Sequence, residues 1–327
     1  MDDGRTFSAL LVGLGRIGFL YDADGAPDLV LTHARALLRQ PSLRLLGGVD
    51  PAPDRRARFA AATGLPAFAA IPAALPGPPD LVVLATPPEG RPEQVRQCLE
   101  LSPRLLLVEK PLATDADAGR EMVAACRARG VTLCVNYHRR CEPAVARIRE
   151  LLAGGGLGPL LAGRLAYSGG LAHNAAHFVD LLRLLFGEPD ACGVLPRPGR
   201  AAADPDAVDF FLEFSGAACV CQALTGADYA HADLELLFAG GAVRYADFGR
   251  AVSFHPAGPD PHFPDCRALA AGRSLVAPGE YEQGQSHVAA HIARVLAGLE
   301  APVSDGDSAL ATLDLCRELA RRWTFPA

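Results

Sequence analysis

The chain has 327 residues, about twice the size of a usual domain, and half of them are hydrophobic, so two packed domains are expected. A formal charge of −6 argues against nucleic acid or an anionic membrane as a partner, since either favours a basic face. No run of about 20 apolar residues is present to span a bilayer, and residues 1–8 lack the features of a secretory signal, so a cytoplasmic protein is expected.

Residues 7–12 (FSALLV) read as a buried strand that runs into Gly13-Leu14-Gly15-Arg16-Ile17-Gly18. A helix is expected over 33–39, a strand over 43–49 ending at Asp50, and a helix over 54–62. The strand 80–85 stops at Thr86-Pro87-Pro88; a helix (91–101), a strand (104–108), a helix (116–129) and a strand (131–135) follow. This alternation predicts a parallel, doubly wound sheet.

Beyond residue 136 the rhythm changes. A helix near 142–153, a strand (160–168) and a helix (175–186) precede strand-like segments at 207–214, 217–225, 232–239 and 241–247. Short turns such as Gly240-Gly241 point to an antiparallel sheet. The Pro-rich stretch 255–264 reads as a surface loop, and helices near 282–298 and 307–322 close the chain. The expected fold is therefore α/β, with a Rossmann domain over 1–136 and a second α/β domain, mostly antiparallel in its sheet, over 137–327.

The glycine run follows a strand and opens a βαβ unit. Its first glycine permits the tight turn, the second lets backbone approach a pyrophosphate, and the third lets helix pack on strand. Asp50 stands where an acid binds the adenosine ribose and would repel a 2′-phosphate, which favours NAD over NADP; Arg16, Arg55 and Arg56 lie near it in sequence and oppose that preference. Fourteen residues, Phe19 to Thr32, separate the last glycine from the next helix. They read as a tolerated surface insertion or as a lid over the cofactor.

Of the 31 basic residues, 30 are arginine and one is lysine. A position that keeps lysine against such a bias points to ammonium chemistry. That residue, Lys110, lies in Glu109-Lys110-Pro111 directly after the strand 104–108, at the edge where ligands of such sheets bind. There it could donate to a hydroxyl or carbonyl oxygen and stabilise charge during hydride transfer. Tyr137, His138, Arg139 and Arg140 follow the last parallel strand; the two arginines suit a phosphate or carboxylate clamp, or equally serve as solvated or domain-bridging charges. His287 and His291 have i, i+4 spacing without a third ligand, so no metal site is expected. The nine cysteines are odd in number and scattered, and Cys126, Cys134, Cys219 and Cys221 read as small hydrophobes.

GLGRIG, Asp50 after a strand, ATPP at 85–88, EKP at 109–111, VNYHRR at 135–140 and HFVDLLRLLFGEP at 177–189 together resemble the glucose–fructose oxidoreductase / inositol dehydrogenase / MocA (Gfo/Idh/MocA) family. The resemblance implies an NAD-binding Rossmann domain and a C-terminal domain whose open sheet binds substrate and makes homodimer or homotetramer contacts. It implies that Gly13, Gly15, Arg16, Ile17, Gly18, Asp50, Thr86, Pro87, Glu109 and Lys110 hold the cofactor. Lys110 then contacts the reacting oxygen and His177 moves the proton, with Tyr137, Arg139, His173, Asn174 and Asp180 around a sugar, cyclitol or nucleotide-sugar substrate. Two positions depart from the family. His173 stands where many members carry Asp four residues before the histidine, and Glu89, Gly90 and Arg91 follow ATPP where a histidine often appears. An imine reductase, an NAD-dependent glycosidase and a non-catalytic NAD-responsive regulator are the alternatives.

Overall fold

The computed structural model describes residues 5–26, 28–72, 77–195 and 205–324. Two compact units are present: Met1–Cys141 with Glu282–Leu313, and Glu142–Tyr281 with Asp314–Ala327.

In the first unit six strands, β1 (Phe7–Val12), β2 (Leu43–Val49), β3 (Ala67–Phe68), β4 (Leu81–Leu84), β5 (Leu105–Val108) and β6 (Thr132–Val135), form a parallel sheet of order β3-β2-β1-β4-β5-β6. The strands are apolar on both faces because both are covered. Leu10, Val12, Val82, Leu84, Leu106 and Val108 face helices α3 (Arg91–Glu100) and α4 (Ala116–Ala128). Ala9, Leu11, Val83 and Leu107 belong to the opposite core with α1 (His33–Arg39) and α2 (Pro53–Thr63). Local chemistry sets the helix ends: Thr32 and Asp115 cap α1 and α4 through their side chains, α2 carries proline in its first turn, and Gly64 ends it in the left-handed conformation.

The second unit holds α5 (Pro143–Ala153), α6 (Ala176–Phe186) and nine strands among its described residues: β7 (Leu160–Tyr167), β8 (Ala191–Val194), β9 (Phe210–Phe214), β10 (Ala217–Ala223), β11 (Ala232–Phe238), β12 (Gly241–Ala246), β13 (Ala251–Pro259), β14 (Arg267–Leu269) and β15 (Arg273–Ser274). Alternation along β10 and β11 sends Cys219, Cys221, Leu234 and Leu236 into a core with Phe178, Leu181 and Leu182 of α6. The other face carries the row Val220, Arg164, Glu235, Arg244 across four neighbouring strands.

Two expectations are corrected. Residues 282–313 belong to the first unit rather than to a second domain running from 137 to the end. The physical reason is cover: Val83 and Leu107 share a core with Val288, Ala289 and Ile292 of α7 (Gly284–Leu296), and Val135 donates to Ser304 O at the sheet edge. The Pro-rich stretch is strand β13 as far as Pro259, paired on both sides, with its prolines near the end of the sheet where a missing donor is tolerated. The second sheet is mostly antiparallel, as expected; among the described strands its one parallel ladder joins β10 to β7.

Candidate cofactor and catalytic site

The glycine turn is built by backbone proximity. Gly13 has φ +97°, and a Cβ there would lie 2.6 Å from the carbonyl oxygen of Ala85. A Cβ on Gly18 would lie 2.0 Å from the carbonyl oxygen of Gly13. Gly15 differs: the nearest neighbour of a Cβ there would be the side-chain atom Arg55 Nη1 at 3.8 Å, an ordinary contact, so no backbone crowds it. Two glycines required by packing and one free of backbone crowding fit a dinucleotide pyrophosphate cradle. Asp50, 3% exposed, accepts from Leu14 N and Ala52 N at 2.9 Å each, with Arg55 Nη1 at 3.4 Å. It therefore braces the turn that it was expected to serve as a ribose ligand. Arg56 is spent on the carbonyls of Asp50 and Pro51, while Arg16 is exposed and Ile17 half-buried.

The described residues after Gly18 form a turn and a short 3-10 segment (Leu20–Asp22) ahead of α1. His33 and Ala34 donate to the carbonyls of Ile17 and Gly18, so α1 begins where the turn after the glycines stops. The buried Asp22 ties the loop down: it accepts from Leu31 N at 2.7 Å, Thr32 N at 2.9 Å and Thr32 Oγ1 at 2.6 Å. Val30 exchanges backbone hydrogen bonds with Glu282 and Gln285. Anchors along both the loop and its far neighbour favour a fixed insertion over a lid.

At the carboxyl end of β5 the chain turns through Glu109, Lys110 and Pro111, with the Lys110–Pro111 peptide cis. Two sets of remote residues hold this turn. Glu109 Oε1 accepts from His33 Nε2 at 2.7 Å and from Asn136 Nδ2 at 2.6 Å, and Asn136 Nδ2 also reaches Gln285 Oε1 at 3.3 Å. Burial pushes the Glu109 carboxyl up, but the His33 hydrogen bond and charge, Asn136 and Lys110 outweigh it and hold the group below its ordinary value. Burial likewise pulls the Lys110 ammonium below its ordinary value, opposed by Glu109 and assisted by Arg139.

Arg91 supplies the second set. Its guanidinium is fully buried and donates to the carbonyls of Thr86, Glu109, Pro111 and Leu112, the last at 3.2 Å. Burial pushes it down to about 10 against the charges of Glu109 and Glu89. Thr86 Oγ1 in turn donates to Gln94 Oε1 at 2.6 Å, and Pro87 is exposed beside it. Without Arg91 these buried carbonyls would lose partners, at about 1–3 kcal/mol for each left unsatisfied. Sequence reasoning missed His33, Asn136, Gln285 and the reach of Arg91; their only local signal was polarity beside apolar strands.

After β6, Tyr137 is buried among the core of the α3–α4 face, and Arg139 is buried as well. Arg140 Nη1 donates to Val303 O at 2.7 Å, which is a structural bond within the first unit. Burial, then Arg139, pushes His138 down to about 3. His291 accepts from Val303 N at 3.1 Å and pairs with Glu300 at 2.9 Å, so its ring is occupied by the fold rather than by a shared face with His287.

In the second unit Leu171–Ala175 forms a turn of π-helix ahead of α6. His173 is exposed on it, and Asn174 Nδ2 donates to Ser168 O at 2.6 Å. His177 and Asp180 follow one turn apart on α6, both buried. Asp206 comes to this turn from far along the chain: its carbonyl accepts from Leu171 N at 2.8 Å and its carboxylate from Ala172 N at 3.4 Å.

Residues 7–137 match the family described as oxidoreductases with an NAD-binding Rossmann fold, Gfo/Idh/MocA. That segment, about two fifths of the chain, is similar to the NAD-binding Rossmann domain of the Gfo/Idh/MocA oxidoreductases. It is 31% identical over 131 residues to trans-1,2-dihydrobenzene-1,2-diol dehydrogenase of Oryctolagus cuniculus, covering 35% of this chain and 40% of that protein. It is 32% identical over 141 residues to inositol 2-dehydrogenase of Rhodococcus erythropolis, covering 39% and 40%. The chain thus spans about two fifths of the length of these curated relatives. The WlbA dehydrogenase from Bordetella pertussis, solved in complex with NADH and UDP-GlcNAcA, shares the fold over 98% of this chain and 96% of its own, with a TM-score of 0.74 at 22% identity. The matched segment contains the glycine turn, Asp50, the ATPP turn and Lys110. Among the described residues no group of three or more potential ligands is placed to hold a metal, and no helix is long and apolar enough to cross a membrane.

Proposed function

We propose that this protein is an NAD-dependent dehydrogenase or reductase that acts on a hydroxyl or carbonyl of a sugar, cyclitol or nucleotide sugar. The observation that carries the reading is Lys110, the one lysine of the chain, held by two buried sets of side chains at the carboxyl end of β5. Gly13, Gly15, Gly18 and the first N–H groups after them would hold the pyrophosphate, Asp50 the ribose, and Thr86 and Pro87 the ring-proximal part of the dinucleotide. When bound, the nicotinamide accepts or supplies the hydride.

Lys110 donates a hydrogen bond to the reacting oxygen and stabilises its negative charge as the C–H bond breaks or forms. Its lowered proton affinity makes it a better donor than an exposed lysine. We assign proton movement to His177, with Asp180 one turn along α6 to orient it and His173 and Arg139 to contact the polar substrate. Tyr137, in the core of the first unit, and Asn174, in the turn ahead of α6 of the second, are further substrate-contact candidates. The inositol and nucleotide-sugar ligands named for the similar proteins favour a polyhydroxylated substrate.

We also propose a homodimer or homotetramer formed through the open face of the second sheet. There Val220 and Leu237 are 41% and 37% exposed beside the Arg164–Glu235–Arg244 ion pairs, and a shallow concavity of about 400 Å³ lies along the row. Sedimentation of the purified chain tests it.

The activity is tested by following NAD reduction spectroscopically with sugars, inositols and nucleotide sugars. Net turnover with a polyol is the expected result. Transient reduction accompanied by hydrolysis would make the protein a glycosidase, and silence across the panel with NAD bound would make it a regulator.

A further inference from the structure

Arg91 is costly in its place. It sits at the first position of α3, where the helix dipole disfavours a cation, and its charge is fully removed from water. What holds it there is a fan of carbonyl oxygens from two turns. Thr86 belongs to the turn after β4, and Glu109, Pro111 and Leu112 belong to the turn after β5. The three acceptors of the second turn bracket Lys110 on both sides. Arginine spreads its donors over a planar fork, so Nη2 reaches Thr86 while Nη1 reaches the turn after β5; the donors of a lysine radiate from a single nitrogen and those of a histidine point in opposite directions, so neither spans both turns in this way.

We propose that Arg91 is the positioning residue of Lys110, tying the turn after β4 to the turn after β5 so that the lysine ammonium stands at one fixed place. The proposal rests on the role given to Lys110 above for its kinetic consequence, but not for its structural one. The guanidinium does not touch substrate or cofactor in this assignment. It acts through the backbone on either side of the lysine, and it links the lysine to Thr86 as one rigid unit. A misplacement of a reacting group by about 1 Å is enough to lower a rate by about a hundredfold, so a loosened turn should be visible in turnover while the glycine turn still binds the dinucleotide.

The composition supplies the measurement. Because Lys110 is the only lysine, the whole chain grown with ¹³Cε/¹⁵N-labelled lysine gives a single lysine signal. In the unaltered protein that signal should be shifted from exposed lysine and show restricted motion. In Arg91→Met, with folding checked by circular dichroism and melting temperature, it should sharpen and move toward the exposed position. Turnover should fall between about tenfold and a hundredfold, with NADH affinity changed by less than about threefold, because the glycine turn carries most of the dinucleotide. Arg91→Gln, which keeps two donors, should lie between. An unchanged lysine signal in a folded variant would overturn the proposal, as would equal losses of affinity and turnover. If neither variant folds, Arg91 serves stability alone and the proposal is wrong. The role of Lys110 is judged separately: if Lys110→Arg keeps full turnover, the functional reading fails, while the effect of Arg91 on the lysine signal still stands or falls by itself.

Discussion

The glycine turn and the lysine turn lie in the same unit, both at carboxyl ends of parallel strands, and they are held in opposite ways. The first is made of backbone in close approach, with Gly13 and Gly18 too near neighbouring carbonyls to carry a side chain. The second is made of buried side chains drawn from four separate places: His33 on α1, Arg91 on α3, Asn136 after β6 and Gln285 on α7. The glycine spacing of the first turn is local, although Ala85 and Asp50 close on it from neighbouring strands. A turn held by remote polar groups depends on the whole fold, and its lysine has properties that no local segment could give it.

The largest effect should come from the backbone turn. Gly18→Ala places a methyl group 2.0 Å from a carbonyl oxygen that cannot step aside. It should destabilise the protein by about 3 kcal/mol or more, read from urea denaturation; a change under about 1 kcal/mol would show that the turn is looser than described. At the lysine turn, Lys110→Arg should fold normally and bind NADH with nearly unchanged affinity, yet lose roughly a hundredfold in turnover. Loss of binding together with activity would give the residue a structural role instead.

Gly15→Ala sharpens the contrast inside the first turn. With only a 3.8 Å contact to Arg55 Nη1, the variant should keep its melting temperature, while the new methyl group should weaken NAD(H) binding by about tenfold. Equal binding would mean that the pyrophosphate does not approach there. Asp50 leads to an effect of the same size: NAD(H) should bind at least about tenfold more tightly than NADP(H), a gap of about 1.4 kcal/mol. Fluorescence titration of both cofactors decides it, and Arg55, at 3.4 Å from Asp50, is the residue to blame if they bind equally.

The smallest effect concerns Glu109. Its folded-state value is held below the ordinary 4.5, so the unfolded chain binds the proton more readily. Its contribution to stability is therefore present above pH 4.5 and lost as pH falls through the lowered folded value. Glu109→Gln should cost about 1 kcal/mol at neutral pH, and the difference from the unaltered protein should shrink on acidification. A gap that stays constant from pH 7 downward would mean that the His33 and Asn136 contacts do not depend on the carboxylate charge.

Much of this was legible along the chain. Each strand of the parallel sheet from β1 to β6, apart from the two-residue β3, follows from an apolar run bounded by turn residues, and the glycine spacing names its own chemistry because adjacent backbone geometry dictates it. Lys110 stood out by composition alone. The 19–32 segment was visible as an insertion, but whether it is loose or tied down depended on Asp22, Val30 and the 282–285 segment, which lie far apart in sequence.

The sequence by itself determined the period of each element, the identity of the glycine turn and the place of the lysine, since these rest on neighbouring residues and their intrinsic conformational preferences. Only the tertiary structure decided that α7 covers the first sheet, that β10 runs beside β7 in parallel, and that His33, Arg91, Asn136 and Gln285 converge on the residues around Lys110. The reason is that a buried polar group must find its partner in space. Which residue supplies it is set by how the strands and helices pack, at separations as large as 149 residues for Asn136 and Gln285.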